Sequence, residues 1–116
     1  GPYGRRRHPG AAVSALDRLA AVIAARKGGD AEASWTVRLL ARGPEACARK
    51  FGEEAVEAII EAVGGDRGKL TAEAADVVYH LLVMLAARDL TLGDVLAELE
   101  RREGVSGIDE KAGRGG

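Results

Sequence analysis

The sequence predicts an all-α protein. Apolar residues recur at three- and four-residue intervals along most of the chain, glycine and proline separate the apolar stretches, and no segment shows the two-residue alternation of a half-buried β-strand. The 116 residues allow one modest domain. We expect four main helices and one short helix, packed as a bundle.

The first two helices lie before the acidic part of the chain. The first ends at Gly28-Gly29, and its apolar positions follow helical spacing: Val13, Leu16, Ala20 and Ile23. Residues 34–40 predict a short second helix, for which Ser34 is a suitable N-cap.

Two long helices follow. Gly43-Pro44 opens the third helix, since proline suits the first helical position, and this helix runs to about Val63. Asp66 is expected to cap the fourth helix, which runs to about Arg88. The connection at 64–66 is so short that the two helices should form an antiparallel hairpin.

A fifth helix is expected after Thr91, because Asp94 follows three positions later as in a capping box. Its apolar stripe consists of Leu92, Val95, Leu96 and Leu99. The remaining chain is polar and rich in glycine. We therefore expect a domain at 11–103 and a tail at 104–116, and we interpret residues 1–10 as the remnant of a cleaved tag.

Composition excludes several classes of protein. The net charge of −1 gives no electrostatic argument for nucleic acid, and aromatic residues make up only 3% of the chain. We expect no membrane association, since no apolar run looks long enough to span a bilayer and no secretory signal is present. Cys47 is the only cysteine, which rules out an internal disulfide and a Cys₂ or Cys₄ zinc site. A reducing cytoplasm is the simplest location.

Two acidic clusters interrupt the apolar pattern of the hairpin helices: Glu53-Glu54-Ala55-Val56-Glu57 and Glu73-Ala74-Ala75-Asp76. Residues three and four apart share a helix face, so Glu54 points with Glu57, and Glu73 with Asp76. The hairpin brings the two faces opposite each other, and a cation between them would offset their repulsion. Carboxylate ligands suit Mg²⁺ or Mn²⁺, and Mg²⁺ usually binds together with phosphates.

A solvated helix face with ion pairs is the alternative interpretation of these carboxylates. It explains Glu61 and Glu73 when each is considered by itself, but it explains Asp76 poorly because Asp76 borders a continuous apolar run, where an unpaired carboxylate is costly. We therefore favour metal ligation by Glu54, Glu57, Glu73 and Asp76. Glu53, rotated by one residue, either reaches a second metal, orients a water molecule or faces solvent.

Other candidates have competing structural roles. Lys50 forms either a helix salt bridge or a phosphate contact, and the sequence favours neither. His80 lies on the acidic face of the fourth helix, where a hydrogen-bonded core or interface histidine is commoner than a ligand, although it could orient a carboxylate. Ser34 and Thr36 are interpreted as caps first and phosphate donors second.

The fourth helix also predicts an assembly. Residues 77–87 are apolar almost all round, which is typical of a helix buried on most sides. One small chain offers too few partner helices for that. We therefore expect a homodimer, or a dimer of dimers, with this helix at the centre.

Over about Ala33 to Arg114, the chain resembles the phosphoribosyl-ATP pyrophosphohydrolases. The Glu-Glu-x-x-Glu…Glu-x-x-Asp core is shared with the wider all-α, MazG-like nucleoside triphosphate pyrophosphohydrolases, whereas the Tyr-His-Leu-Leu run and the C-terminal segment are typical of the histidine-pathway enzyme. Gly113 departs from the pattern, which has a serine there. The matching segments are Ser34–Thr36, Lys50–Glu57, Glu73–Leu82 and Ser106–Arg114.

The resemblance implies a MazG-like helical bundle and a reaction. Phosphoribosyl-ATP would be cleaved between its α- and β-phosphates in the second step of histidine biosynthesis, by the stand-alone form of the enzyme. The acidic clusters would hold Mg²⁺, with Glu53, Glu54 and Glu57 closest to the chemistry. The residues implied in substrate binding are Ser34, Thr36, Lys50, His80, Lys111 and Arg114, the last two from the tail.

Two other functions remain open from the sequence. A MazG-like housekeeping enzyme acting on free or damaged nucleotides would share the metal core, but it gives no reason for the C-terminal segment. A non-enzymatic helical dimerisation module would use the acidic patch to bind a basic partner or stray cations. Carboxylates beside a buried helix argue against the second.

Overall fold

The computed structural model describes residues 9–30 and 34–105, and within these ranges every regular element is a helix, as predicted. The helices are α1 (Pro9–Arg26), α2 (Trp35–Ala41), α3 (Pro44–Gly64), α4 (Arg67–Ala87) and α5 (Leu92–Gly104). Their number and type confirm the expectation of four main helices and one short one.

The helix starts follow the predicted capping chemistry. Ser34 and Asp66 each accept the backbone N–H three positions later, at 3.1 and 2.9 Å. Pro44 is the first residue of α3. Thr91 and Asp94 form a reciprocal capping box at the start of α5.

The α3–α4 hairpin is the frame of the molecule, and α1 and α2 pack against it. Every helix contributes to one core, because each has at least one buried apolar side chain. The core consists of Ile23, Leu39, Leu40, Cys47, Leu82, Val83, Ala87 and Leu92. Packing α2 against both long helices fixes its position beside the two acidic clusters.

Lys27 fastens the end of α1 to the end of α4. Its ammonium group donates to the carbonyl oxygen of Ala86 at 2.8 Å and pairs with the carboxylate of Asp89 at 2.6 Å. A cation at this position also complements the negative end of the helix dipole. The Lys27 ammonium lowers the pKa of Asp89 through this hydrogen bond.

One sequence-based expectation needs correction, because α4 is long and apolar enough to cross a membrane by length and composition. Within the described residues, it is the one helix that meets this criterion. Glu73 and Asp76 lie near its middle, where charged side chains are costly in a bilayer. Only 28% of its most apolar window is buried inside the monomer. The helix therefore has apolar surface that the other described residues leave uncovered.

A second apolar surface lies on α3. Val56, Ile59, Ile60 and Val63 recur at helical spacing, so they share one face of the helix. Their exposed fractions are 54, 59, 60 and 83%. We call these four residues the α3 stripe. On α4, Val78 is also exposed.

Candidate active site

Three carboxylates meet across the α3–α4 hairpin. Glu54 and Glu57 extend from α3 and Glu73 extends from α4, and one oxygen of each lies within 4.8 Å of the other two. Glu54 is buried, whereas Glu73 is half-buried and Glu57 is exposed. The short connection between the helices produces this meeting, because both acidic clusters lie within a few helical turns of it.

Asp76, the fourth expected ligand, does not belong to this group of mutually close carboxylates. It is exposed on α4, one turn beyond Glu73, and its charge contributes to the raised pKa of Glu73. The structure therefore brings three of the four candidate ligands together and leaves the last at the edge of the group.

On the α4 side, the described part of the chain gives the three carboxylates no positive partner. Oε1 of Glu73 is buried and has no hydrogen-bond partner among the described residues. Burial raises the pKa of this carboxyl group, and the negative charges of Glu57, Asp76 and Glu54 raise it further. A hard divalent cation would satisfy the oxygen and the charges together, so the donor set fits Mg²⁺ or Mn²⁺.

Lys50 compensates the acidic group from the α3 side. Its ammonium group lies 3.1 Å from Oε2 of Glu54 and 3.8 Å from Oε1 of Glu53. The hydrogen bond to Glu54 raises the pKa of Lys50. The same ammonium lies 5.7 Å from the centroid of the Trp35 ring. The helix ion pair expected for Lys50 is therefore present, and its position beside the carboxylates also suits a phosphate contact.

His80 lies behind the carboxylates in an aromatic cluster. Its ring meets those of Trp35 and Tyr79 edge to face, with centroids 5.4 and 5.2 Å apart. The side chain is buried, its Nδ1 has no hydrogen-bond partner in the described part of the chain, and burial lowers its pKa. Burial therefore disfavours the charged form of this imidazole.

Ser34 and Thr36 have structural partners. Ser34 caps α2, as expected. Thr36 is only 3% exposed, and its hydroxyl is hydrogen-bonded to the hydroxyl of Tyr79. Ser34 thus stabilises the start of α2, whereas Thr36 is not a cap and its hydroxyl joins α2 to α4. The two tail candidates, Lys111 and Arg114, lie outside the described residues.

A basic cleft lies between α2 and α3, and it was not predicted from the sequence. Its volume is about 440 Å³, and one end adjoins the acidic group through Lys50 and Glu53. The sequence signal for this cleft was helical spacing, which places the lining positions on one face of each helix: 35, 38 and 42 on α2, and 46, 49, 50 and 53 on α3. The lining residues are Trp35, Arg38, Leu39, Arg42, Ala46, Arg49, Lys50 and Glu53.

Comparison with known proteins identifies the family of this chain. Residues 16–103 match the family described as phosphoribosyl-ATP pyrophosphohydrolase. A protein named phosphoribosyl-ATP pyrophosphatase from Cereibacter sphaeroides is 75% identical over 103 residues, which are 89% of this chain and all of the relative.

Proteins of the same name from two other bacteria are similarly related. The one from Dinoroseobacter shibae is 76% identical over 102 residues, or 88% of this chain and all of the relative. The one from Paracoccus denitrificans is 75% identical over 99 residues, or 85% of this chain and 92% of the relative. The chain belongs to the phosphoribosyl-ATP pyrophosphohydrolase family.

Proposed function

We propose that this protein hydrolyses 1-(5-phosphoribosyl)-ATP between the α- and β-phosphates, giving 1-(5-phosphoribosyl)-AMP and pyrophosphate in the second step of histidine biosynthesis. The observation that carries the proposal is the meeting of Glu54, Glu57 and Glu73 across the hairpin, in a chain that matches this family over residues 16–103. Within a cell, the reaction belongs in the cytoplasm.

Glu54, Glu57 and Glu73 would hold the metal, and the exposed carboxylate of Asp76 stands at the edge of the group as a further ligand. The unpartnered Oε1 of Glu73 supports this assignment, because a buried carboxylate oxygen needs a positive partner. When bound, Mg²⁺ would polarise the phosphates and orient water, and Mn²⁺ suits the same oxygen donors.

The chain's own residues supply the rest of the chemistry. Lys50 orients the carboxylate of Glu54 and can donate its remaining N–H groups to a substrate phosphate. Glu53 borders the basic cleft with a side chain that is 57% exposed, so its carboxylate is accessible to the attacking water as a proton acceptor. His80 supports this arrangement from behind by packing against Trp35.

The same proposal includes a homodimer. The α3 stripe and the apolar surface of α4 form faces that nothing else in the described part of the chain covers. A second copy offers the same apolar faces, and a twofold interface is self-complementary by symmetry. The hairpin that builds the site would then lie at the dimer interface, with α4 near its centre.

Pyrophosphate release from phosphoribosyl-ATP, with ATP and dUTP alongside and with or without Mg²⁺, tests the function. We expect Mg²⁺-dependent turnover of phosphoribosyl-ATP and little turnover of the other two. Preferred turnover of ATP or dUTP would instead indicate a housekeeping enzyme. No turnover of any of them, by protein shown to be folded, would contradict the proposal.

A pair of variants connects the activity to the carboxylates. Glu57→Gln removes one charge of the acidic group, whereas Glu61→Gln makes the same change one turn later on α3, outside the group. We expect Glu57→Gln to abolish most turnover and to remove the rise in melting temperature that Mg²⁺ gives the wild type. Equal losses in the two variants would show that the effect is not specific to metal ligation.

A further inference from the structure

We propose that the basic cleft binds the 5′-phosphate of the ribosyl group attached to N1 of the adenine, so that Arg38 and Arg42 distinguish phosphoribosyl-ATP from ATP. This inference rests on the proposed function and assigns a role to residues outside the acidic group. The two substrates share their triphosphate, so selection between them requires a contact with the added phosphoribosyl group, whose phosphate is its charged part.

The charges of the cleft support an anionic ligand. Four cationic side chains line it, against one carboxylate: Arg38, Arg42, Arg49, Lys50 and Glu53. Arg49 lies 3.7 Å from Glu45, and Lys50 is paired within the acidic group. Among the described residues, Arg38 and Arg42 have no carboxylate within 4.0 Å. Two guanidinium groups therefore face the cleft without compensation, and a guanidinium can bind phosphate with two parallel hydrogen bonds.

The position of the cleft relative to the acidic group indicates which phosphate of the substrate would bind there. Leu39 and Cys47 are in contact, as are Trp35 and Lys50, so α2 runs antiparallel to the first half of α3. Arg42 therefore lies at the end of the cleft farthest from the carboxylates.

The length of α3 between the two ends gives the scale. From Ala46, beside Arg42, to Glu54 is eight residues, or about 12 Å at 1.5 Å per residue. A phosphate bound at the carboxylates cannot also contact Arg42. The two ends of the site thus match a ligand that carries phosphate at both ends of a nucleoside, with Trp35 between them. ATP carries phosphate at one end only.

Titration calorimetry with phosphoribosyl-AMP, AMP and pyrophosphate tests the assignment on the wild type and on Arg38→Met and Arg42→Met. Methionine removes the charge while keeping an unbranched side chain, and both arginines are exposed, so the fold should survive. Arg18→Met, an exposed change on α1 away from the cleft, is the matched control.

We expect the wild type to bind phosphoribosyl-AMP at least about tenfold more tightly than AMP, because a charge-assisted contact contributes about that factor or more. Each cleft variant should lose most of this preference, Arg42→Lys should recover part of it, and the control should keep it. Equal wild-type binding of the two nucleotides, or a variant effect confined to pyrophosphate, would overturn the assignment.

The outcome separates this inference from the proposed function. If the wild type turns over phosphoribosyl-ATP, but its preference for phosphoribosyl-AMP over AMP does not depend on the arginines, only the cleft assignment is overturned. Arginine-dependent binding of phosphoribosyl-AMP without any turnover supports the cleft assignment and contradicts the proposed reaction.

Discussion

Replacing Ile60 by glutamate should dissociate the proposed homodimer. Ile60 is 60% exposed in the single chain and lies at the middle of the α3 stripe. Fully burying an isoleucine side chain stabilises by about 1.5–3 kcal/mol, so covering this exposed part contributes about 1–2 kcal/mol per protomer. A twofold interface uses the residue twice, and the variant would in addition place two unpaired carboxylates in an apolar contact.

The expected loss is therefore at least about 3 kcal/mol per dimer, which corresponds to more than a hundredfold increase in the dissociation constant. Sedimentation equilibrium over a range of concentrations measures this directly, since the chain mass is 12.1 kDa. The wild type should show two chain masses where Ile60→Glu shows one.

Ala48→Glu is the matched control, because it introduces the same charge at an exposed position of α3 outside the stripe. It should remain dimeric. A monomeric wild type would refute the homodimer, and a dimeric Ile60→Glu variant would show that the α3 stripe is not its interface. Circular dichroism of each variant checks that the helices are intact.

Three further predictions concern the isolated fold. Lys27→Met removes the hydrogen bond to the carbonyl oxygen of Ala86 at the end of α4. Loss of this bond should lower the free energy of unfolding by about 1 kcal/mol, which is measurable as a lower urea midpoint. Hydrogen bonds from Arg101 and Arg102 lower the pKa of Glu98 to about 2. The contribution of this carboxylate to stability should therefore be present above about pH 4.5 and be lost as the pH falls toward 2. Glu98→Gln should flatten the acid limb of a pH–stability curve, and an unchanged limb would contradict the ion pair. Burial raises the pKa of the Cys47 thiol and shields the thiol from solvent. A thiol reagent should therefore label Cys47 only as fast as the protein opens. Rapid labelling under native conditions would contradict the place of Cys47 in the core.

The helices were predictable because their signals are local. The caps at Ser34, Asp66 and Thr91 use side chains that bond to backbone within three residues, and those bonds form in the structure as expected. Pro44 and the short connection before α4 are equally local, and together they predict the antiparallel hairpin. The family resemblance was likewise carried by residues that are close in sequence.

The composition of the acidic site was predictable only in part. Spacing on one helix places Glu54 with Glu57, and the hairpin brings α4 opposite them. Which residue of α4 comes within 4.8 Å depends on how the two helices are rotated about their axes, and core packing decides that rotation. The packing turns Glu73 inward and leaves Asp76 exposed.

Residues on α2 show most clearly what tertiary structure adds. The hydroxyl of Thr36 was interpreted as a cap first and a phosphate donor second, but the position of α2 directs it to Tyr79 in the interior. The same packing turns Arg38 and Arg42 toward α3 and creates the basic cleft. The all-α class, the helix ends and the carboxylates available for metal binding could be predicted from the amino-acid order, because each depends on neighbours along the chain. The pairs of side chains that face one another across helices could not, because contacts between helices depend on the packing of the whole core.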